Sequence, residues 1–149
     1  MKIELASTMD VWPIKGLLNQ SHLVYKDITP KRLKNYLVLK EGKAVIGVIG
    51  LEVQSPYALL RSLAVNPKWR CQGYGARLLE AGENYSSYLG VSTLFLITSQ
   101  AHSFFYHNGF RSEDLMTASA MLQVIKQFQV LCPPGSVCMV KDVDDVVQH

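Results

Sequence analysis

Cysteine is scarce in this 149-residue chain and odd in number, at positions 71, 132 and 138, which excludes a disulfide framework. Cys132 and Cys138 have no third cysteine or nearby histidine at ligand spacing, and they read as small buried hydrophobes. The four histidines (22, 102, 107 and 149) form no metal motif, so no metal is expected. No apolar run approaches the ~20 residues of a membrane span. Met1-Lys2-Ile3-Glu4 opens a strand-like stretch rather than a signal peptide, so neither a membrane nor an export route is expected and the chain reads as cytoplasmic. A net charge of +3 is too small and too scattered to argue for nucleic acid. Only 18% of residues are charged against 48% hydrophobic, which excludes disorder. Two phosphate motifs are also missing: no Gly-Lys-Ser/Thr triplet closes a P-loop, and Leu78 stands where a Rossmann fingerprint needs its third glycine.

What is present centres on Leu59 to Leu89. Leu59 to Val65 reads as a strand buried on both faces, broken by Asn66-Pro67. After Arg70-Cys71-Gln72-Gly73-Tyr74-Gly75-Ala76, residues 75, 78, 79, 82, 85, 86 and 89 recur at helical spacing as one apolar or small stripe. Strand, glycine loop and helix follow in that order. A helix start leaves N–H groups without intrahelical acceptors, and Gly73 and Gly75 would let an anion reach them; Lys68, Arg70 and Arg77 add positive charge. A pyrophosphate suits such a loop, although most Gly-x-Gly pairs are only ordinary turns.

Arg70-x-x-Gly73-x-Gly75, behind Leu63-Ala64-Val65 and Asn66-Pro67, resembles the acetyl-CoA signature of the GCN5-related N-acetyltransferases. Thr93 to Thr98 is similar to that family's next strand, and Phe104-Phe105-Tyr106-His107-Asn108-Gly109-Phe110 to its helix ending in Gly-Phe. The resemblance implies an α/β fold: a mixed twisted sheet of six to seven strands flanked by helices, with two splayed parallel central strands. It implies one N-acetyltransferase domain over residues 1–149 and acetyl-CoA as cosubstrate. It also implies that the backbone from Arg70 through Cys71, Gln72, Gly73, Tyr74 and Gly75 to Ala76 holds the cofactor. Leu63, Ala64 and Val65 would lie along the pantetheine arm, and Phe105 would face the cofactor. Many members carry a Tyr four residues before the Gly of Gly-Phe to protonate the departing thiolate; here that position is Phe105, and the candidate acids are water and Tyr106, which lies ~100° further round the helix. The run from Leu63 to Phe110 is similar to the acetyltransferase module of amino-acid N-acetyltransferases, and Phe128 to Lys141 to arsenic-resistance-associated N-acetyltransferases. A small amino-acid-like amine is the implied acceptor, by direct attack on the thioester. A CoA-binding sensor without turnover and a peptide N-acetyltransferase remain the rival readings.

The rest of the chain supplies the frame. Met1 to Ala6 reads as an edge strand, and Val11, Ile14, Leu17 and Leu18 as one helix face behind a cap within Ser7 to Asp10. Ser21 to Pro30 reads as a loop, with Thr29 capping a short helix; Tyr25 and Lys26 there are either surface residues or substrate-facing ones. Tyr36–Lys40 and Ala44–Glu52 make a hairpin around Gly42. Glu52 is a candidate base for the incoming amine, or simply a solvated carboxylate at a strand end. Arg61 needs a partner, either an acceptor carboxylate or an internal one. Thr117 to Phe128 has helical spacing, Val137 to Val140 reads as a closing strand exposed for homodimer pairing, and Asp142 to His149 as a frayed tail.

Overall fold

A computed structural model describes residues 1–114, 119–127 and 134–143. Seven strands form one sheet in the order β1-β2-β3-β4-β5-β7-β6. They are β1 (Lys2–Leu5), β2 (Tyr36–Glu41), β3 (Ala44–Gln54), β4 (Tyr57–Val65), β5 (Thr93–Thr98), β6 (Arg111–Glu113) and β7 (Val137–Asp142). The helices are α1 (Val11–Gln20), α2 (Tyr74–Tyr88), α3 (His102–His107) and α4 (Ser119–Gln127). By contacts the chain divides into two compact units, one of Met1–Leu51 with Ser62–Gly82, the other of Glu52–Arg61 with the chain from Glu83 on.

In the first unit, α1 is too short to hold itself together in water and depends on packing. Ile14, Leu17 and Leu18 are buried in one cluster with Val38, Val48 and Ala64; each buried Ile, Leu or Val side chain contributes about 1.5–3 kcal/mol. The helix is entered through Asp10, one of the cap candidates. Its Oδ2 accepts the Ser7 N–H at 2.8 Å, and its Oδ1 lies 3.1 Å from Lys40 Nζ. The buried carboxylate is thereby paired on both oxygens. Thr29 stands at the expected cap of the short 3₁₀ turn Pro30–Asn35, but its side chain makes no cap bond. Gly42 turns the hairpin at φ +60°, a conformation open to glycine. Gly50 meets the ring of the fully buried Tyr36, where a Cβ would come within 2.3 Å. Gly50→Ala is therefore expected to lower stability by about 1–3 kcal/mol through overpacking, read as a drop in the urea midpoint.

In the second unit, β4 runs parallel to β5 and β7 lies antiparallel between β5 and β6. Leu59, Phe95, Val124, Ile125, Cys138 and Val140 form its core. Two expectations are corrected here. The C-terminal strand is no exposed edge, because Val137–Asp142 is paired on both sides, and the edges fall to β1 and β6. The tail does not begin at Asp142, which pairs with Thr93, nor at Val143, which is fully buried and donates its N–H to Ser92 O at 2.9 Å. Lys141 ties this unit together. Its ammonium pairs with the buried Glu83 carboxylate and donates to Asn108 O at 2.9 Å, just past the end of α3. Cys132, Phe128 and Thr117 lie outside the described residues.

Candidate functional site

The loop between β4 and α2 is built by its own polar groups. Asn66 Oδ1 accepts the Lys68 N–H at 2.9 Å and fixes the 3₁₀ turn Pro67–Trp69. Asn66 itself donates its N–H to Ile46 O at 2.8 Å, anchoring the turn to β3. Arg70 braces the rest of the loop: Nε donates to Val65 O at 3.0 Å and Nη2 to Ser21 Oγ at 3.1 Å. Its guanidinium therefore holds the loop in place besides lending it charge. Ser21 as its partner was invisible in the sequence, since 49 positions separate the two.

Beyond Arg70 the backbone alternates in hand. Cys71 lies at φ +62° and Gly73 at φ +85°, with Gln72 between them at negative φ. A left-handed cysteine costs about 1–2 kcal/mol. Alternating hand along successive residues is a feature of anion nests. The α2 ladder starts when Arg77 N–H bonds Gly73 O at 3.1 Å. The N–H groups of Tyr74, Gly75 and Ala76 precede that bond and are the first-turn donors with no intrahelical acceptor. Nothing lies within 4 Å of a Cβ built on Gly73, so the space in front of this turn is open. Arg77 stands over the Tyr74 ring at 5.7 Å, adding positive charge to the same helix start.

β4 is less regular than its sequence suggests. Its first half is buried, but Arg61, Ser62 and Leu63 are only half-buried, which corrects the expectation of a strand covered on both faces throughout. Ser62 has φ +63° in mid-strand, and this kink breaks the alternation; its hydroxyl lies 3.4 Å from Tyr36 OH. No glycine or proline marked the place. The parallel ladder with β5 covers Tyr57↔Thr93, Ala58↔Leu94 and Leu59↔Phe95, then stops, although β4 runs on to Val65 and β5 to Thr98. Ala64 packs into the α1 core, whereas Leu63 and Val65 are half-buried.

Glu52 is 7% exposed, so the picture of a solvated strand-end carboxylate is wrong. Its Oε1 lies 3.7 Å from Arg61 Nη1, which supplies the internal alternative for the arginine's partner. On α3, Phe105 is buried edge-to-face against Phe104 and Phe110, with centroids 5.1 and 5.5 Å away. Tyr106 is 63% exposed and stacks on His102. One residue step has moved the phenol outward. Among the described residues, no three His, Cys, Asp or Glu side chains cluster to hold a metal ion, and no helix is long and apolar enough to cross a membrane.

A mixed sheet whose parallel ladder stops after three rows, with a turn of alternating hand leading to a helix N-terminus, defines an α/β protein. Residues 32–112 match the family described as acetyltransferase (GNAT) domain, and the chain belongs to that family. Similar proteins include an amino-acid acetyltransferase of Pseudomonas syringae pv. syringae, 31% identical over 60% of this chain and 21% of that one. One of Pseudomonas paraeruginosa is 28% identical over 78% and 28%. The chain thus spans about a fifth to a quarter of these relatives' length. Among solved structures, N-acetylglutamate synthase of Neisseria gonorrhoeae, complexed with coenzyme A and N-acetyl-glutamate, aligns with a TM-score of 0.81 at 19% identity, over 95% of this chain and 35% of that one. Tetrahymena GCN5 aligns at 0.76 and 19%, over 96% of each. At such identities the likeness establishes the fold.

Proposed function

We propose that residues 1–149 form a single N-acetyltransferase domain that moves the acetyl group of acetyl-CoA to the primary amine of a small amino-acid-like acceptor. The observation that carries this reading is the open turn at Cys71 and Gly73 leading into the first-turn donors of α2. Backbone N–H groups from Cys71 to Ala76 hold the CoA pyrophosphate, with Lys68, Arg70 and Arg77 lending charge. The backbone of Leu63, Ala64 and Val65, beyond the end of the β5 ladder, pairs with the pantetheine arm as an added strand. The amino-acid acetyltransferase relatives support the acceptor class. The cytoplasm is the proposed working compartment.

In the reaction, Glu52 takes a proton from the acceptor ammonium, directly or through water, and the freed amine attacks the thioester carbon. The carbonyl pair moves onto oxygen, where backbone N–H groups stabilise it. Collapse breaks the carbon–sulfur bond and releases CoA thiolate, and the extra proton on the new amide passes to water or to that thiolate. A thiolate with a pKa near ~8.5 leaves without strong acid help. That suits an α3 whose tyrosine points outward and whose Phe105 is packed inside. Holding the two reactants together supplies most of the rate.

The test is thiol release from acetyl-CoA against a panel of free amino acids, their phosphinate and arsinate analogues, polyamines and peptides. Turnover confined to free amino-acid-like amines is expected. Products on peptides alone would replace the acceptor class. Bound acetyl-CoA with no thiol release toward any amine would identify a sensor.

A further inference from the structure

The β1 edge of the sheet carries a self-complementary pattern that the acyl-transfer chemistry does not use. β1 pairs with β2 through Lys2↔Lys40, Ile3↔Leu39, Glu4↔Val38 and Leu5↔Leu37, and no described strand lies on its other side. The direction of its backbone groups follows from one bond. Ala6 donates its N–H to Tyr36 O at 2.8 Å, so hydrogen-bonded pairs fall at Ala6, Glu4 and Lys2. Ile3 and Leu5 therefore turn their N–H and C=O groups outward, away from β2.

We infer that this edge is a homodimer interface, in which β1 of a second copy adds antiparallel about a two-fold axis through Ile3. In that register Ile3 faces Ile3 and the two exchange both main-chain bonds. Lys2 of each copy faces Glu4 of the other, and Leu5 faces Met1. Opposite charges and apolar side chains meet in every flanking row. Leu5 and Met1 are 50% and 47% exposed in the single chain, and this pairing covers both. Lys2 also sits beside Lys40 in the β1–β2 ladder, and Lys40 is committed to Asp10, so Glu4 of a second copy supplies the counter-charge Lys2 lacks across the ladder.

The pattern also selects its register. Outward groups on alternate residues allow slips only in steps that keep Ile3 and Leu5 facing outward residues. Moving the axis to Lys2 sets Lys2 against Lys2, and moving it to Glu4 sets Glu4 against Glu4. Charges at strand edges commonly guard against pairing. Here they oppose the neighbouring registers and favour the one centred on Ile3. The partner is a second copy of this chain because the complement to Met1-Lys2-Ile3-Glu4-Leu5 is the same stretch reversed.

The inference is tested by sedimentation of the full chain over a concentration series, with circular dichroism to verify folding. Wild type is expected to dimerise reversibly. Lys2→Glu sets a carboxylate at position 2 against Glu4 twice per dimer and should weaken association at least about tenfold; the lysine is exposed, so the fold should be unchanged. The double variant Lys2→Glu/Glu4→Lys restores the pairing with signs exchanged and should recover dimerisation to within about threefold of wild type. A wild type that stays monomeric throughout, or a dimer indifferent to Lys2→Glu, overturns the interface. A folded double variant that fails to recover overturns this register.

Discussion

Replacing Gly73 by valine is expected to raise the dissociation constant for acetyl-CoA by about 10–100-fold, measured by calorimetric titration. Gly73 sits at φ +85°, where an L side chain is strained by about 1–2 kcal/mol, so part of the effect is a turn that relaxes out of shape. A Cβ there meets no protein atom within 4 Å, so packing in the unliganded protein is not the cause. The remaining cost is the loss of one or more charge-assisted hydrogen bonds to phosphate, each worth about 1.5–3 kcal/mol. Gly75 supplies the control, because it lies inside α2 and is not among the positive-φ glycines. Gly75→Ala should raise helix stability by up to about 1 kcal/mol and still weaken CoA binding. A stabilised Gly75→Ala protein with unchanged CoA affinity would show that the cofactor does not approach this turn.

The difference between what the sequence revealed and what it hid lies in the range of the interactions. The β4–loop–α2 unit, Gly42 in the hairpin and the whole of β5 are written in periodicity and in residues with restricted backbones, and the structure reproduces them within two residues. Asn66 and Gly73 could be read because each acts on its immediate neighbours. β7 was recognisable as a strand, yet its place between β5 and β6 depends on partners far along the chain. That is why its edges looked available for dimerisation when they are not. Ser62 shows another limit: a left-handed serine in mid-strand has no local signature, because its backbone strain is held by the surrounding sheet. Burial of Glu52 was hidden for the same reason as the bracing of Arg70 by Ser21. A lone carboxylate near a strand end looks solvated until the next strand brings Arg61 against it.

Glu52→Gln is expected to lower kcat for acetyl transfer by about 10²–10³-fold while leaving acetyl-CoA affinity within about twofold. Glutamine keeps the volume of a side chain that is 7% exposed, so the substitution removes charge and proton-accepting power with little change in packing. It also takes a carboxylate from Arg61, and breaking a buried pair costs about 3–5 kcal/mol where the contact is close. At 3.7 Å the Glu52–Arg61 contact is longer than a hydrogen bond, and the expected loss is nearer about 1–3 kcal/mol. Stability and turnover must therefore be separated, and Arg61→Met separates them. Both single variants break the ion pair and should lower the urea midpoint, and the double variant should lose less than their sum because neither charge is stranded. If Glu52 accepts the amine's proton, only the variants lacking it lose turnover by two orders of magnitude, and Arg61→Met keeps most of its kcat when assayed well below its unfolding transition. If turnover falls equally in Glu52→Gln and Arg61→Met, and in step with stability, Glu52 serves the sheet alone and the base must be sought elsewhere.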